Sequence, residues 1–282
     1  MSTLRNILVV QDASRESSKA IEIAAHLQRQ MQVRVSIVDV VSEKRSNDAI
    51  DVRRNSLNAI VDASSLDVDR TRISILCGRP ISVLIDEVIN ASHDLLLKDA
   101  FSNSEGLFLG ALDLRLLQLS PATVWLTGPD SAVRPKTIMV AVSPDLTEDT
   151  LNGELLSLGA RIAEIDASEI YVVCSADLEK EDEEGKEEFM RHLYGLLKQK
   201  CLRLPADRII ISKGLPSDCI LDACLEIQPD LLLMGTVAKR DVPGLWLGGT
   251  ADAVARQIRS SLVGIKPSDF CPVLPRTLSR LN

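Results

Sequence analysis

One stretch of this 282-residue sequence occurs twice, and the two copies align without a gap. Residues 73–97 match residues 209–233 at an offset of 136. The identical positions, numbered in the first copy, are Ile73, Ile75, Gly78, Pro80, Asp86, Asp94 and Leu95 to Leu97. A repeat constrains the fold strongly, because each copy must form the same structural unit. The chain is therefore predicted to consist of two related units in tandem.

Apolar and polar runs follow the same order in both copies. The offset grows from 131 at the first strand-like run to 140 at the last, where residues 122–126 align with 262–266. Strand-like runs alternate with helical ones, which predicts parallel strands with right-handed crossovers. The predicted fold class is α/β, with two tandem doubly wound domains, each a five-stranded, mostly parallel sheet with helices on both faces. The predicted domains are residues 1–128 and 135–268, and residues 269–282 are predicted to form an extended tail.

Composition excludes several classes of function. The formal net charge is −8, and no Lys/Arg cluster alternates with aromatic residues, which predicts no nucleic-acid binding. No apolar run is long enough for a signal-peptide core or a membrane span, which predicts a cytoplasmic protein. The six cysteines lack metal-ligand spacing and the three histidines share no motif. We therefore expect structural roles for both residue types and no metal site.

A glycine-containing loop after the fourth strand of the second copy is the best candidate binding site. It begins at Gly235, carries the cation Lys239, and ends in Gly248, Gly249 and Thr250 before a helical stretch. Glycine lets the backbone approach a ligand, and N–H groups at a helix start favour anions. Thr250 is expected to cap that helix. Ligands of doubly wound sheets bind beyond the carboxyl ends of the strands, here those of the first and fourth strands.

The segments "DLLLMGT", "GLWLGGTADAV" and "VGIKP" of the second copy resemble the universal stress protein family, and the doubling resembles its tandem E-type branch. Nucleotide-binding members of that family carry the pattern G-x2-G-x9-G-[S/T] after the fourth strand. On this sequence the pattern falls on Gly235, Ala238, Gly248 and Gly249, with Thr250 one residue late. The second glycine and the hydroxyl position thus depart from the pattern.

The resemblance implies a stress-response binding or regulatory protein that is not an enzyme. Its implied ligand is ATP, ADP or AMP, or a related phosphorylated molecule, in the second domain. The family places an Asp near the nucleoside where this chain has Ser143. The predicted nucleotide-binding residues are Val142, Ser143, Val173, Gly235, Lys239, Gly248, Gly249 and Thr250.

The first copy departs from the family pattern in the opposite sense. It keeps the carboxylate after the first strand as Asp12, but Asp99 stands where the second copy has Gly235. The offsets of 136 and 140 also make its loop four residues shorter. A carboxylate in that place would repel a phosphate, so we expect no phosphate binding in the first domain.

Two alternatives stay open at this point. In one, both sites have decayed and the chain is a ligand-free scaffold that binds unknown protein partners. In the other, the second site hydrolyses ATP slowly. The resemblance also implies that the two units pair through their last strands about a pseudo-twofold axis, with Trp125 in one of them. That pairing would cover an exposed sheet edge. Whether the chain dimerises further is open.

Overall fold

A computed structural model describes residues 4–15, 18–41, 46–100, 109–128, 130–145, 149–176, 183–200, 202–236, 248–267 and 270. The first half contains the strands β1 (Asn6–Val10), β2 (Arg34–Val41), β3 (Thr71–Cys77), β4 (Leu95–Asp99) and β5 (Thr123–Thr127). Its helices are α1 (Lys19–Met31), α2 (Asn47–Ala63), α3 (Pro80–Asn90) and α4 (Ala111–Leu119). The predicted tail lies outside the described residues except for Phe270.

The second half repeats the same order of elements. Its strands are β6 (Thr137–Val142), β7 (Glu169–Ser175), β8 (Ile209–Ser212), β9 (Leu231–Gly235) and β10 (Ser261–Ile265). Its helices are α5 (Asp149–Asp166), α6 (Glu183–Gln199), α7 (Pro216–Ile227) and α8 (Gly249–Gln257). Among the described residues, no helix combines the length and the apolar character that crossing a membrane requires.

The ten strands form one sheet in the order β3-β2-β1-β4-β5-β10-β9-β6-β7-β8. All neighbours are parallel except β5 and β10, which are antiparallel. Within each half the order is third, second, first, fourth, fifth, the doubly wound arrangement predicted from the alternating runs. The pairing of the last strands is also as predicted. Trp125 lies opposite Val263 at its centre, and Val124 and Leu126 lie opposite Gly264 and Leu262.

Strand register corrects the alignment of the last strand. Leu95 lies beside Thr123 in the first half, and the equivalent Leu231 lies beside Ser261 in the second. The offset there is therefore 138 and not 140, so the loop of the first half is two residues shorter, not four. The sequence could not fix this register, because a strand buried on both faces is apolar at successive positions and fits equally well after a shift.

The Gly-x-Pro motif is required for the same structural reason in both copies. Gly78 and Gly214 have φ values of +140° and +146°, which strain any residue with a side chain. Pro80 and Pro216 are the first residues of α3 and α7, where a missing N–H costs nothing. The motif thus ends an edge strand and starts the helix that returns to the sheet.

The two halves share a continuous core. One cluster of buried side chains runs across the β5–β10 junction and includes Ile7, Trp125, Ile138 and Val263. A buried polar contact also joins the halves, because His26 Nε2 of α1 lies 2.6 Å from Asp166 Oδ1 at the end of α5. The two side chains are 3% and 2% exposed. His26 therefore has the structural role that the sequence predicts for it.

Candidate functional site

A cavity of about 240 Å³ lies at the C-terminal ends of β6 and β9, where the strand order of the second half reverses. Of the eight predicted binding residues, seven line this one cavity, namely Val142, Ser143, Val173, Gly235, Gly248, Gly249 and Thr250. Lys239 lies outside the described residues. Residues more than 100 positions apart thus meet where parallel doubly wound sheets hold their ligands.

Asn152 holds the turn after β6 in place. Its amide Oδ1 accepts a hydrogen bond of 2.9 Å from Ser143 N, and its Nδ2 donates one of 2.8 Å to Ser143 O. Asn152 is 3% exposed and lines the cavity. Asn152 is not among the predicted site residues, and the one feature of the sequence that marks it is a polar amide among the apolar positions of α5.

Position 235 requires a glycine because a side chain there would not fit, and not because of an unusual backbone φ angle. A Cβ there would lie 2.8 Å from Leu151 Cδ2, too close for a side chain without rearrangement. Leu151 follows the turn and also lines the cavity. The glycine therefore lets the start of α5 pack directly on the end of β9.

The start of α8 differs from the prediction in one respect. The N-cap residue is Gly248 and not Thr250, which is the second residue of the helix, and no side chain in the described ranges caps it. The first N–H groups of a helix have no partner within the helix, and those of Gly249 and Thr250 have no acceptor among the described residues, so they can face an anion. A Cβ on Gly249 would meet no atom within 4 Å, so this glycine borders open space.

An ion pair fills the equivalent place in the first half. Lys98 and Asp113 occupy the positions of Met234 and Ala251, and Lys98 Nζ lies 2.8 Å from Asp113 Oδ1. The side chains are 13% and 3% exposed, and the other carboxylate oxygen accepts a bond of 2.8 Å from Gly110 N. A cation and a carboxylate thus stand where the second half has two cavity-lining apolar side chains.

The carboxylate of Asp99 lies at the start of α1. Its Oδ1 accepts hydrogen bonds of 2.8 Å from Ala20 N and from Thr127 Oγ1. The carboxylate is therefore anchored on the helix start that an anionic ligand could otherwise approach. This arrangement gives the physical reason to expect no phosphate binding in the first half.

The carboxylate that the first half keeps after β1 is also engaged. Asp12 accepts hydrogen bonds from Ser14 N at 2.9 Å and Ser14 Oγ at 2.7 Å, and Arg53 Nη2 lies 3.4 Å away. Partial burial alone would raise the pKa of Asp12, but the Ser14 bonds and the Arg53 charge outweigh it and leave the pKa below its ordinary value. Arg53 also pairs with buried Asp39, whose pKa burial raises. The turn is tied to α2 rather than open to a nucleoside.

Cysteine chemistry has no support at the site. Burial raises the pKa of Cys174 to about 12 and that of Cys224 to about 11, so both thiols stay protonated at neutral pH. Across the described ranges, no group of three His, Cys, Asp or Glu side chains is arranged to hold a metal ion.

Comparison with known proteins agrees with this geometry. The family model described as "Universal stress protein family" matches residues 135–266. The second half of the chain belongs to the universal stress protein family. Its first half has the same topology, and the chain as a whole is 25% identical to Universal stress protein E of Salmonella typhi, over 96% of each chain. The predicted resemblance to the tandem E-type branch is confirmed.

Solved structures show the same fold across both halves. A universal stress protein from Archaeoglobus fulgidus has a TM-score of 0.70 at 15% identity, covering 95% of this chain and 100% of its own. A functionally unknown protein from Pseudomonas aeruginosa PAO1 has a TM-score of 0.76 at 19% identity, covering 94% of each. At these identities the likeness shows the tandem universal stress protein fold alone.

Proposed function

We propose that the second half binds an adenine nucleotide, ATP, ADP or AMP, and that the first half is its structural partner. Val142, Ser143 and Val173 would contact the nucleoside, and Gly235, Lys239, Gly248, Gly249 and Thr250 would contact the phosphates. The observation that carries the proposal is the asymmetry between equivalent positions. The second half has a cavity beside an uncapped helix start, whereas the first half has the Lys98–Asp113 pair and Asp99.

Size and charge support a particular orientation. A cavity of about 240 Å³ lies just below the usual range of small-molecule pockets, about 300–1,000 Å³, so it suits the nucleoside part. The phosphates would then extend along the start of α8, where backbone N–H groups favour negative charge. Ser143 cannot supply the carboxylate that the family pattern has at this position, so we expect weaker binding of the ribose hydroxyls.

Isothermal titration of the full chain with AMP, ADP and ATP tests the proposal. Gly249→Asp adds a carboxylate at the helix start without a steric clash, because a Cβ there meets open space. We expect it to weaken binding about tenfold or more, since like charges repel at the uncapped helix start. The matched control is Ala111→Asp, the equivalent exposed position in the first half, which should leave binding unchanged. The absence of binding of all three nucleotides at millimolar concentration would refute the proposal.

The wider role proposed for the chain is a cytoplasmic stress-response regulator that is not an enzyme, built from domains 1–128 and 135–268. The name of its Salmonella typhi relative, Universal stress protein E, supports the stress-response part. Ser143 in place of the family's Asp favours one competing function, a protein-interaction scaffold without a ligand. Partners recovered equally well with and without nucleotide, and unaffected by Gly249→Asp, would favour the scaffold.

A further inference from the structure

Among the buried polar side chains without a hydrogen bond in the described part of the chain, Lys266 and His93 both line one cleft outside the candidate nucleotide site. Lys266 Nζ and both ring nitrogens of His93 have no hydrogen-bond partner among the described residues. Lys266 is 5% exposed and His93 is 7% exposed. Glu87 Oε1 lies 3.7 Å from His93 Nε2, within ion-pair range but beyond hydrogen-bond distance. Buried polar groups without partners are rare in folded proteins, so each of these needs an explanation.

Both residues line the same cleft, beneath whose surface their side-chain nitrogens are buried. The cleft has a volume of about 1,350 Å³ and lies between α5 and α6 on one side and the starts of β4 and β5 on the other. Extending the β5–β10 register by two residues places Lys266 opposite Ala122, and the β4–β5 register places Ala122 beside Asp94. Lys266 and His93 therefore lie at strand ends on the same side of the sheet, on strands that are two positions apart in the strand order.

No described carboxylate of the cleft, Glu164 and Glu188 included, is a counter-charge to Lys266. Burial alone lowers its pKa to about 7, with no carboxylate acting in the opposite direction. The ring of Phe270 faces the ammonium, with its centre 5.3 Å from Nζ. A ring face attracts a cation only weakly compared with an anion. The ammonium thus needs an anionic partner that the described part of the chain does not supply.

Three acidic residues of the cleft are already engaged elsewhere. Asp94 accepts hydrogen bonds from Arg5 N at 2.7 Å and Asn6 N at 2.9 Å. Asp149 Oδ1 lies 2.7 Å from His192 Nε2, and Glu154 interacts with the Lys200 charge. None of the three is the counter-ion of Lys266.

The repeat shows that this pair is not required by the fold. The first-half equivalent of Lys266 is Gly128, and the second-half equivalent of His93 is Pro229. The same scaffold is therefore built elsewhere in the chain without either side chain. A buried lysine without a partner normally lowers the stability of the fold. Its presence at only one of two equivalent positions therefore indicates a functional role for this side chain.

We propose that this cleft is a second ligand site, which binds a small organic anion through the Lys266 ammonium as counter-ion and the His93 ring as hydrogen-bond donor. The ligand class is a carboxylate or phosphate ester of metabolite size. The site shares no lining residue with the nucleotide cavity, so it does not depend on the proposed nucleotide binding.

Titration with inorganic phosphate and with citrate tests the proposal and separates the two anion types. The experiment uses the Gly249→Asp protein, so that the start of α8 does not contribute a phosphate site. Lys266→Met is the test variant, and Lys136→Met, at an exposed lysine with the same change of net charge, is the matched control. Lys266→Met should fold well because it removes a buried charge without a partner.

We expect at least one anion to bind Lys136→Met and to bind Lys266→Met about tenfold or more weakly, the loss typical of a charged hydrogen bond. His93→Leu should weaken the same anion by a smaller factor. Equal binding to Lys266→Met and Lys136→Met would overturn the proposal. So would the absence of binding of both anions to Lys136→Met at millimolar concentration.

Discussion

Three positions around Asp99 differ between the two halves, and exchanging them should transfer the arrangement that we expect to exclude anions from the first half. The first half has Asp99, Ala20 and Thr127 where the second has Gly235, Leu151 and Ile265. Asp99 fits because Ala20 is small and because Ala20 N and Thr127 Oγ1 donate to it at 2.8 Å. Gly235→Asp alone would place its Cβ 2.8 Å from Leu151 Cδ2.

The expected energies follow from that geometry. Gly235→Asp should lower the free energy of unfolding for two reasons. Overpacking against Leu151 should contribute about 1–3 kcal/mol, and a buried carboxylate without hydrogen-bond donors should contribute about 1–3 kcal/mol more. Leu151→Ala alone should cost about 2–5 kcal/mol, because Leu151 is 6% exposed. In the double variant the cavity accommodates the carboxylate, so we expect a favourable coupling of about 1–3 kcal/mol. Adding Ile265→Thr restores the second donor and should stabilise the triple variant further.

Chemical denaturation of the two single variants and the double variant measures this coupling. Gly195→Asp in α6 is the control for adding a carboxylate, since a Cβ there meets no atom within 4 Å. The triple variant should also lose nucleotide binding. Additive single and double effects, with no coupling, would refute the view that Asp99 and Ala20 are matched in volume. Nucleotide binding unchanged in the triple variant would refute the view that the Asp99 arrangement blocks the site.

Three further predictions concern stability. His26→Ala should lower the free energy of unfolding by about 3–5 kcal/mol, because it leaves the 2%-exposed carboxylate of Asp166 without its partner. Asp252→Asn, which breaks an exposed ion pair, is the control and should lower it by less than about 1 kcal/mol. Equal losses for the two variants in chemical denaturation would contradict this prediction. Gly264→Ala should cost about 1–3 kcal/mol, because its Cβ would lie 2.5 Å from Thr236 Cγ2; a thermal midpoint equal to that of the parent protein would contradict the close approach. The pKa of Lys266 falls from 10.5 to about 7 on folding, so the unfolded chain binds more protons between these values and stability should rise from pH 7 to pH 9. Lys266 alone should raise the free energy of unfolding by about 1.4 kcal/mol per pH unit in this range. This slope should disappear in Lys266→Met, which should be about 4 kcal/mol more stable than the parent protein at pH 7. The same dependence of stability on pH in both proteins would contradict the burial of the charge. Above about pH 9 the raised pKa values of Cys174 and Cys224 act in the opposite direction, which sets the upper limit of this window.

Much of the fold could be predicted from the repeat. Alternating strand and helix runs, with Gly-x-Pro before the third helix of each copy, were enough for the doubly wound arrangement of each half, whereas the pairing of the last strands was implied by the family resemblance. The register of β10 could not be predicted, because its apolar residues fit two alignments equally well.

The candidate site was predicted in part. Seven residues from loops and strand ends meet as expected, because strand order alone brings those ends together. Asn152 was missed because its two hydrogen bonds go to backbone atoms, which no sequence motif records. The Lys98–Asp113 pair and the cleft at Lys266 depend on contacts between distant elements, so side-chain spacing along the chain could not reveal them.

The stoichiometry of nucleotide binding to the full chain tests the central claim most directly. Titration of the purified protein with the adenine nucleotide that binds best should give one site per chain. That site should be weakened in Gly249→Asp and kept in Ala111→Asp. Two sites per chain, or one site that only Ala111→Asp removes, would contradict the assignment of binding to the second half and of anion exclusion to the first.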